Sequence, residues 1–404
     1  MSPPDLPFLP YGVQSIDEAD IAAVAAALRA DFLTTGPEVE RFEADIARQV
    51  GAGHVVVCAN GTAGLHLAAM AAGLGPDDTV IVPAITFVAT ANAARYCGAR
   101  VVFADVDPDT GALTADSLQA AIRRADVTVA AVFPVHLAGQ SVDMAAIGQI
   151  ARKHGAKLIE DACHAFGSLC DDGPVGSCRH SDAAVFSFHP VKMLTSGEGG
   201  ALVTQDAGLA ARARQLRSHG ISREAGDFTE AAQAFAADGN ANVWYYEMQA
   251  LGFNYRLPDI NCSLGRSQLR RLDQFMGQRQ RLVQRYDQLL SPYAPHLRSM
   301  TRRGEQVVDG LSVGWHLQVV LIDFEGLGLD RQGVMQALRQ RGIGSQVHYM
   351  PVYRQPYYRA LEPAILLPGA EAYYARCLSL PLFADMAESD VDRVVAALVD
   401  VLGL

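Results

Sequence analysis

Lysine is nearly missing from this chain. Of 33 basic residues, 30 are arginine and only Lys153, Lys157 and Lys192 are lysine. Positive charge is also short overall, with 44 acidic residues leaving a net charge of −11 and no local basic run. That balance excludes nucleic acid or an anionic membrane surface as the main partner. Seven cysteines, an odd number with no C-x-x-C pair, point to free thiols in a reducing compartment rather than to a disulfide framework. The grouping of Cys163, His164, Cys170, Cys178 and His180 follows no common zinc spacing, so no metal is expected. Long apolar runs are absent too. Stretches such as "TVAAVFPVHLAG" are too short, and too interrupted by proline, to cross a bilayer. The opening "MSPPDLPFLPYGVQSIDEAD" lacks a charged-then-apolar leader pattern, and a cytoplasmic protein is expected. There is no Walker pattern, and "GAGHVV" lacks the third glycine and following helix of a dinucleotide fingerprint.

What is present is a long alternation of helical and strand patterns. At 404 residues, half of them apolar, the chain can build two domains with a large shared core. Amphipathic helices are predicted at "IDEADIAAVAAALRA" and "GPEVERFEADIARQV". Strands follow at "HVVVCA", "TVIVPA", "RVVFADVD", "VTVAAVFPV", "AKLIEDAC", "SDAAVFSFH" and "GALVTQD", mostly separated by helices. Continuous β-branched runs between helices indicate a mostly parallel sheet buried on both faces. An arginine-rich pattern predicts one long helix over 259–292, linking to a smaller α+β region. The division expected is a large domain over 1–262 and a small one over 263–404. Residues 222–243 read as an exposed excursion.

Ligands of open α/β sheets bind outside the carboxyl ends of the strands, and four features fall there. "VVVCANGTAGLHLAA" is a strand, a glycine turn and a helix start. The N–H groups around Gly61, Thr62 and Ala63, with the Thr62 hydroxyl, form an anion site on the positive helix end. "KLIEDACHAFG" ends a buried strand with Glu160, Asp161 and His164. A carboxylate there could cap a helix, bind a metal or pair with a protonated pyridine nitrogen. Phe87 stands at a strand-to-helix transition in "PAITFVATANAA", where core packing and stacking on a flat cofactor are both open. In "SFHPVKMLTSGEGG", Ser187 can donate to phosphate, and Lys192 lies between an apolar strand and a glycine-rich turn. A primary amine can lose its proton and attack a carbonyl, whereas a guanidinium does not. Anion cradle, carboxylate, stacking face and amine together are what pyridoxal 5′-phosphate requires.

These motifs, in this order, resemble the DegT/StrS family of nucleotide-sugar aminotransferases. The likeness runs through "FLTTGPEVERFE", "NGTAGLHLA", "IEDACHAFG", "FSFHPVKMLTSGEGG" and "LGFNYRLPDINCSLGRSQL". It implies the α/β fold-type I architecture, with a mostly parallel seven-stranded sheet in the large domain. It also implies catalysis by Lys192, as the Schiff-base lysine, and by Asp161 at the pyridine nitrogen. His164 would lie near the cofactor's phenolic oxygen and Phe87 on its ring, with Thr62, Ala63 and Ser187 on the phosphate. Asn254 would reach in from the second subunit of a homodimer. Arg256, His348, Tyr349 and Tyr353 are the candidates for substrate contact. Within the family, "GIGSQVHYMPVYRQPYYR" looks closest to the UDP-4-amino-4,6-dideoxy-N-acetyl-β-L-altrosamine transaminases of pseudaminic acid synthesis. A UDP-sugar and L-glutamate are then the expected reactants. "DINCSLGRSQL" and the 222–243 excursion depart from that pattern. GDP-perosamine and dTDP-amino-sugar types are alternatives. A sugar dehydratase is disfavoured because such relatives replace the lysine with histidine. A nicotinamide-dependent oxidoreductase lacks its glycine fingerprint, and a non-catalytic regulator would show a damaged site.

Overall fold

The computed structural model describes residues 7–170, 172–301 and 313–404; the first six residues of the opening segment read above lie outside it. Seven strands form one sheet: β1 (His54–Cys58), β2 (Thr79–Pro83), β3 (Arg100–Ala104), β4 (Ala131–Val132), β5 (Lys157–Asp161), β6 (Ala183–Ser187) and β7 (Gly200–Thr204). Their order is β1-β7-β6-β5-β4-β2-β3. β7 runs antiparallel to both its neighbours, and every other adjacent pair is parallel. Seven helices accompany the sheet: α1 (Glu18–Leu28), α2 (Pro37–Val50), α3 (Gly61–Ala71), α4 (Val88–Tyr96), α5 (Ala115–Ala125), α6 (Met144–Lys153) and α7 (Ala207–Arg217). The unbroken apolar strand runs have a direct cause. In β1, Val56 and Cys58 pack into one core cluster while Val55 and Val57 pack into another on the opposite face, so neither face meets water.

The strand predicted over 127–135 is much shorter. Only Ala131 and Val132 pair as a ladder, because Pro134 has no N–H to offer its neighbour. Val135 then makes a single bridge to Asp161. The long helix predicted over 259–292 is two helices, Asp259–Leu269 and Leu272–Leu290. Arg270 and Arg271 make i→i−3 turn bonds to Ser267 and Gln268. The Arg271 guanidinium bends back to Asp20 at 2.5 Å and Asp17 at 3.1 Å.

Strands β8 (Leu297–Ser299), β9 (Gln318–Ile322) and β10 (Cys377–Leu380) make a small antiparallel sheet. The helices Leu272–Leu290, Arg331–Gln340 and Glu388–Leu402 pack around it. The opening segment joins this sheet's surroundings rather than the large sheet beside which its sequence position placed it. Leu9 exchanges backbone hydrogen bonds with Gly342 and Gly344, both at 2.8 Å, and Leu382 N–H donates to the Tyr11 carbonyl at 3.0 Å. The excursion after Ser222 is tied down by pairing of Ile221–Ser222 with Glu247–Met248. The Glu247 carboxylate accepts backbone N–H bonds from Thr229 and Glu230.

Asp259, fully buried, caps α2 from 220 residues away: its carboxylate accepts the N–H groups of Gly36 at 2.9 Å and Glu38 at 3.0 Å. Replacing Asp259 with alanine orphans both donors and should lower unfolding free energy by about 1–2 kcal/mol, read by urea denaturation. An unchanged midpoint would show that the cap is dispensable.

Candidate active site

The carboxyl ends of β1, β5 and β6 open on a cavity of about 690 Å³. Its anion cradle is set by close approach. A Cβ on Gly61 would lie 2.9 Å from Ser187 Cβ and 3.0 Å from Cys163 Sγ, and one on Gly200 would lie 2.5 Å from the Asn60 carbonyl. Only glycine lets the turn at the start of α3 sit this tightly on β6 and β7. Asn60 caps α3, its Oδ1 accepting the Ala63 N–H at 2.9 Å. That takes Ala63 out of the cradle predicted from sequence. Gly61 and Thr62 N–H have no partner among the described residues, and the Thr62 and Ser187 side chains line the cavity beside them.

Alternation along β5 sorts its two carboxylates. Glu160 is consumed in the core, where His136 Nε2 lies at 2.7 Å and the Ser181 hydroxyl donates to it. Asp161 turns to the cavity, and its Oδ2 accepts from the Thr90 hydroxyl at 2.6 Å, which also meets Thr86 at 2.7 Å. Oδ1 accepts the Cys163 N–H at 3.1 Å. These neutral donors hold the acid in place without a cation to compete for it. Phe87 is the N-cap of α4, 55% exposed, with its ring centroid 6.2 Å from that of Tyr349. Its exposure favours the stacking reading over core packing.

Lys192 follows β6 and is half-buried, with no carboxylate in ion-pair range among the described residues. Lys157, by contrast, pairs with Asp182 at 2.9 Å. Lys192 Nζ lies 3.5 Å from His316 Nε2. Burial lowers its affinity for a proton, opposed in smaller measure by Cys163 and Asp161. Around it stand three buried imidazoles, His164, His316 and His348. Each is pushed toward the neutral form by burial first and the lysine charge second, His348 down to about 3. His164 Nδ1 accepts the Ala138 N–H at 3.3 Å, which puts its proton on Nε2, 3.2 Å from the Tyr349 hydroxyl. Both ring nitrogens of His164, the residue expected near the cofactor's phenolic oxygen, thus have partners within the protein, and Tyr349 carries the free hydroxyl proton.

His348 and Tyr349 line the cavity; Asn254, Arg256 and Tyr353 do not. Tyr353 is a core residue whose hydroxyl donates to Glu371. Asn254 is exposed and bridged to Ser218. Sequence reasoning missed His316 and Tyr11, which line the cavity from distant segments, and Thr90, which is buried against Asp161. Among the described residues no arginine lines the cavity.

The groups present fit a phosphorylated pyridine aldehyde: unpaired amides for the phosphate, an acid for the ring nitrogen, an exposed ring for the face and an amine for the carbonyl. Comparison with known proteins agrees. The model of the DegT/DnrJ/EryC1/StrS aminotransferase family matches residues 14–399. The chain belongs to this family. Among solved structures it is similar to PseC of Helicobacter pylori, an aminotransferase involved in the biosynthesis of pseudoaminic acid. That likeness has 27% identity over 98% of this chain and 99% of that one, with a TM-score of 0.87. The aminotransferase TlmJ of Streptoalloteichus hindustanus is 32% identical over 98% and 99%, with a TM-score of 0.85. Spr1654 of Streptococcus pneumoniae, in its PLP form, is 25% identical over the same shares, at 0.84. The chain is a sugar aminotransferase of fold-type I with pyridoxal 5′-phosphate as cofactor. Among the described residues no helix is long and apolar enough to cross a membrane.

Two outcomes follow from this geometry. Gly61→Ala should weaken pyridoxal phosphate binding about tenfold or more, followed by absorbance titration, with the circular dichroism spectrum unchanged; undiminished binding would remove the cradle's steric basis. The second concerns acid. His348 binds its proton at about 3 rather than 6.5, so between those values the unfolded chain holds more protons than the folded one. Stability should fall as pH drops from about 6.5 toward 3, by up to about 1.4 kcal/mol per unit from this histidine. His164 and His316 act in the same direction. The slope of denaturation midpoint against pH should be shallower in His348→Gln.

Proposed function

We propose that the chain transfers an amino group from L-glutamate to the C4 ketone of a UDP-4-keto-6-deoxy-N-acetylhexosamine. The product would be UDP-4-amino-4,6-dideoxy-N-acetyl-β-L-altrosamine, as in pseudaminic acid synthesis. The observation that carries the reading is a half-buried lysine amine, free of any ion pair, sharing one cavity with the Asp161 carboxylate. The likeness to the PseC protein and the "GIGSQVHYMPVYRQPYYR" segment support the choice of sugar.

When bound, the cofactor supplies an electron sink for charge left at the carbon that loses a proton. The residues supply the rest. Lys192 Nζ would hold the cofactor at its carbonyl carbon and, when free as a base, would carry the proton away from the donor's α-carbon. In the second half it delivers a proton to the sugar's C4. Asp161, steadied by Thr90, keeps the ring nitrogen protonated. Gly61 and Thr62 N–H, with the Thr62 and Ser187 hydroxyls, hold the phosphate, and Phe87 covers the ring. His348 and Tyr349 face the sugar.

Among the described residues the cavity is lined by one lysine and no arginine, whereas both reactants are anionic. The reading therefore includes a homodimer in which Asn254, and Arg256 for the nucleotide phosphates, enter from a second copy. Sedimentation at twice the 43.2 kDa chain mass is its check. The reaction itself is tested with purified protein, glutamate and a panel of UDP-, dTDP- and GDP-4-keto sugars, with NMR of the product. Turnover should be fastest with the UDP sugar and lost in Lys192→Arg; a tenfold preference for another nucleotide would overturn the substrate assignment, and an active arginine variant would overturn the chemistry.

A further inference from the structure

His316 has no role in the reading above, yet its ring is the only side-chain partner of the Lys192 amine among the described residues. It comes from outside the large sheet, just before β9. Every fixed point around it spans the two sheets. His316 N–H donates to the Ala138 carbonyl at 3.0 Å. Its own carbonyl accepts from Arg279 at 3.3 Å, and the same guanidinium reaches the carbonyls of Leu382 at 2.9 Å and Lys192 at 3.5 Å. Two residues earlier, Gly314 N–H donates to Ser168 at 2.9 Å, and its carbonyl would lie 2.2 Å from a Cβ on Gly139. The ring, 4% exposed, lies 4.4 Å from that of His164. It has no room to rotate away.

We propose that His316 is a positioning residue that donates a hydrogen bond from Nε2 to Lys192 Nζ, holding the amine as a free base pointed into the cavity. The argument rests on its other nitrogen. His316 Nδ1 is buried with no hydrogen-bond partner. A proton there would be an orphaned buried N–H, which folded proteins rarely keep, so the neutral ring carries its proton on Nε2. An Nε2–H facing the amine at 3.5 Å requires a lone pair on nitrogen, and an ammonium has none. The charged and titratable groups facing the pair divide between its two members, and burial is the larger influence at the lysine. His164, His348 and Arg279 oppose added positive charge, while Asp161 and Cys163 favour it at the lysine. Burial acts in the same sense as the histidines.

The inference rests on the aminotransferase reading only for the use of the free amine, and its test needs neither substrate nor cofactor. The chain's three lysines make the test direct. In full-length, cofactor-free protein labelled with ¹³C at lysine Cε, the Lys192 resonance, assigned by its loss in Lys192→Arg, is titrated with pH. His316→Leu should raise the Lys192 midpoint by about one unit or more, a tenfold gain in proton affinity. A lower or unmoved midpoint, with Lys153 and Lys157 undisturbed, overturns the proposal. If that variant does not fold, ¹⁵N-histidine spectra of the parent chain decide. Above the lysine midpoint His316 should show the Nε2–H tautomer, and the Nδ1–H tautomer would refute it. Failure of the sugar assays with the expected titration intact would count against the substrate reading alone.

Discussion

A half-buried amine, with no carboxylate in ion-pair range among the described residues, is the condition on which the rest of this site depends. In most proteins a lysine is solvated or paired, and Lys157 with Asp182 shows the ordinary arrangement in this same chain. At Lys192 the surroundings are three imidazoles that burial pushes toward the neutral form, a half-buried thiol and a carboxylate already engaged by Thr90 and the Cys163 N–H. Desolvation is then the leading influence on the nitrogen. Arg279 supports the same end from behind. Its buried guanidinium, whose proton affinity is lowered to about 10 by burial, contacts main-chain carbonyls rather than an acid, Lys192's own among them.

The phosphate end works by a different kind of exclusion. Gly61 and Gly200 contribute no side-chain chemistry, and their value lies in what their missing Cβ atoms let approach. The α3 turn settles against Ser187 and β7 with two backbone N–H groups left unspent. A helix terminus offers its first N–H groups to whatever fills them, and here Asn60 satisfies one while leaving the cavity side open. The cavity thus brings together the unspent dipoles of this turn, the Lys192 amine and the aromatic ring of Phe87.

Much of this was legible in the sequence, for identifiable reasons. Strands buried on both faces leave continuous β-branched runs, so the large sheet was evident without any contact information. Lys192 stood out because the chain otherwise writes positive charge as arginine, and Asp161 because it ends a buried strand. Between Glu160 and Asp161 the family resemblance chose Asp161, and the pleat sets the two on opposite faces. His316 and Thr90 carry no local signal: they meet Lys192 and Asp161 across separations of 124 and 71 residues. The helix break at Arg270–Arg271 was hidden for a similar reason, since it is the reach of Arg271 back to Asp17 and Asp20 that accompanies it. The bond from the Ala63 N–H to Asn60 Oδ1 is likewise a matter of helix-cap geometry that the motif alone does not show.

The opening segment has a bearing on how the molecule is made. Tyr11 sits in the cavity wall beside His348, with ring centroids 5.6 Å apart, and its main chain is bonded to Leu382. That wall of the pocket is therefore complete only when residues 11 and 382, far apart in the sequence, have been brought together, a non-local contact whose loop-closure entropy must be met before the cavity is whole.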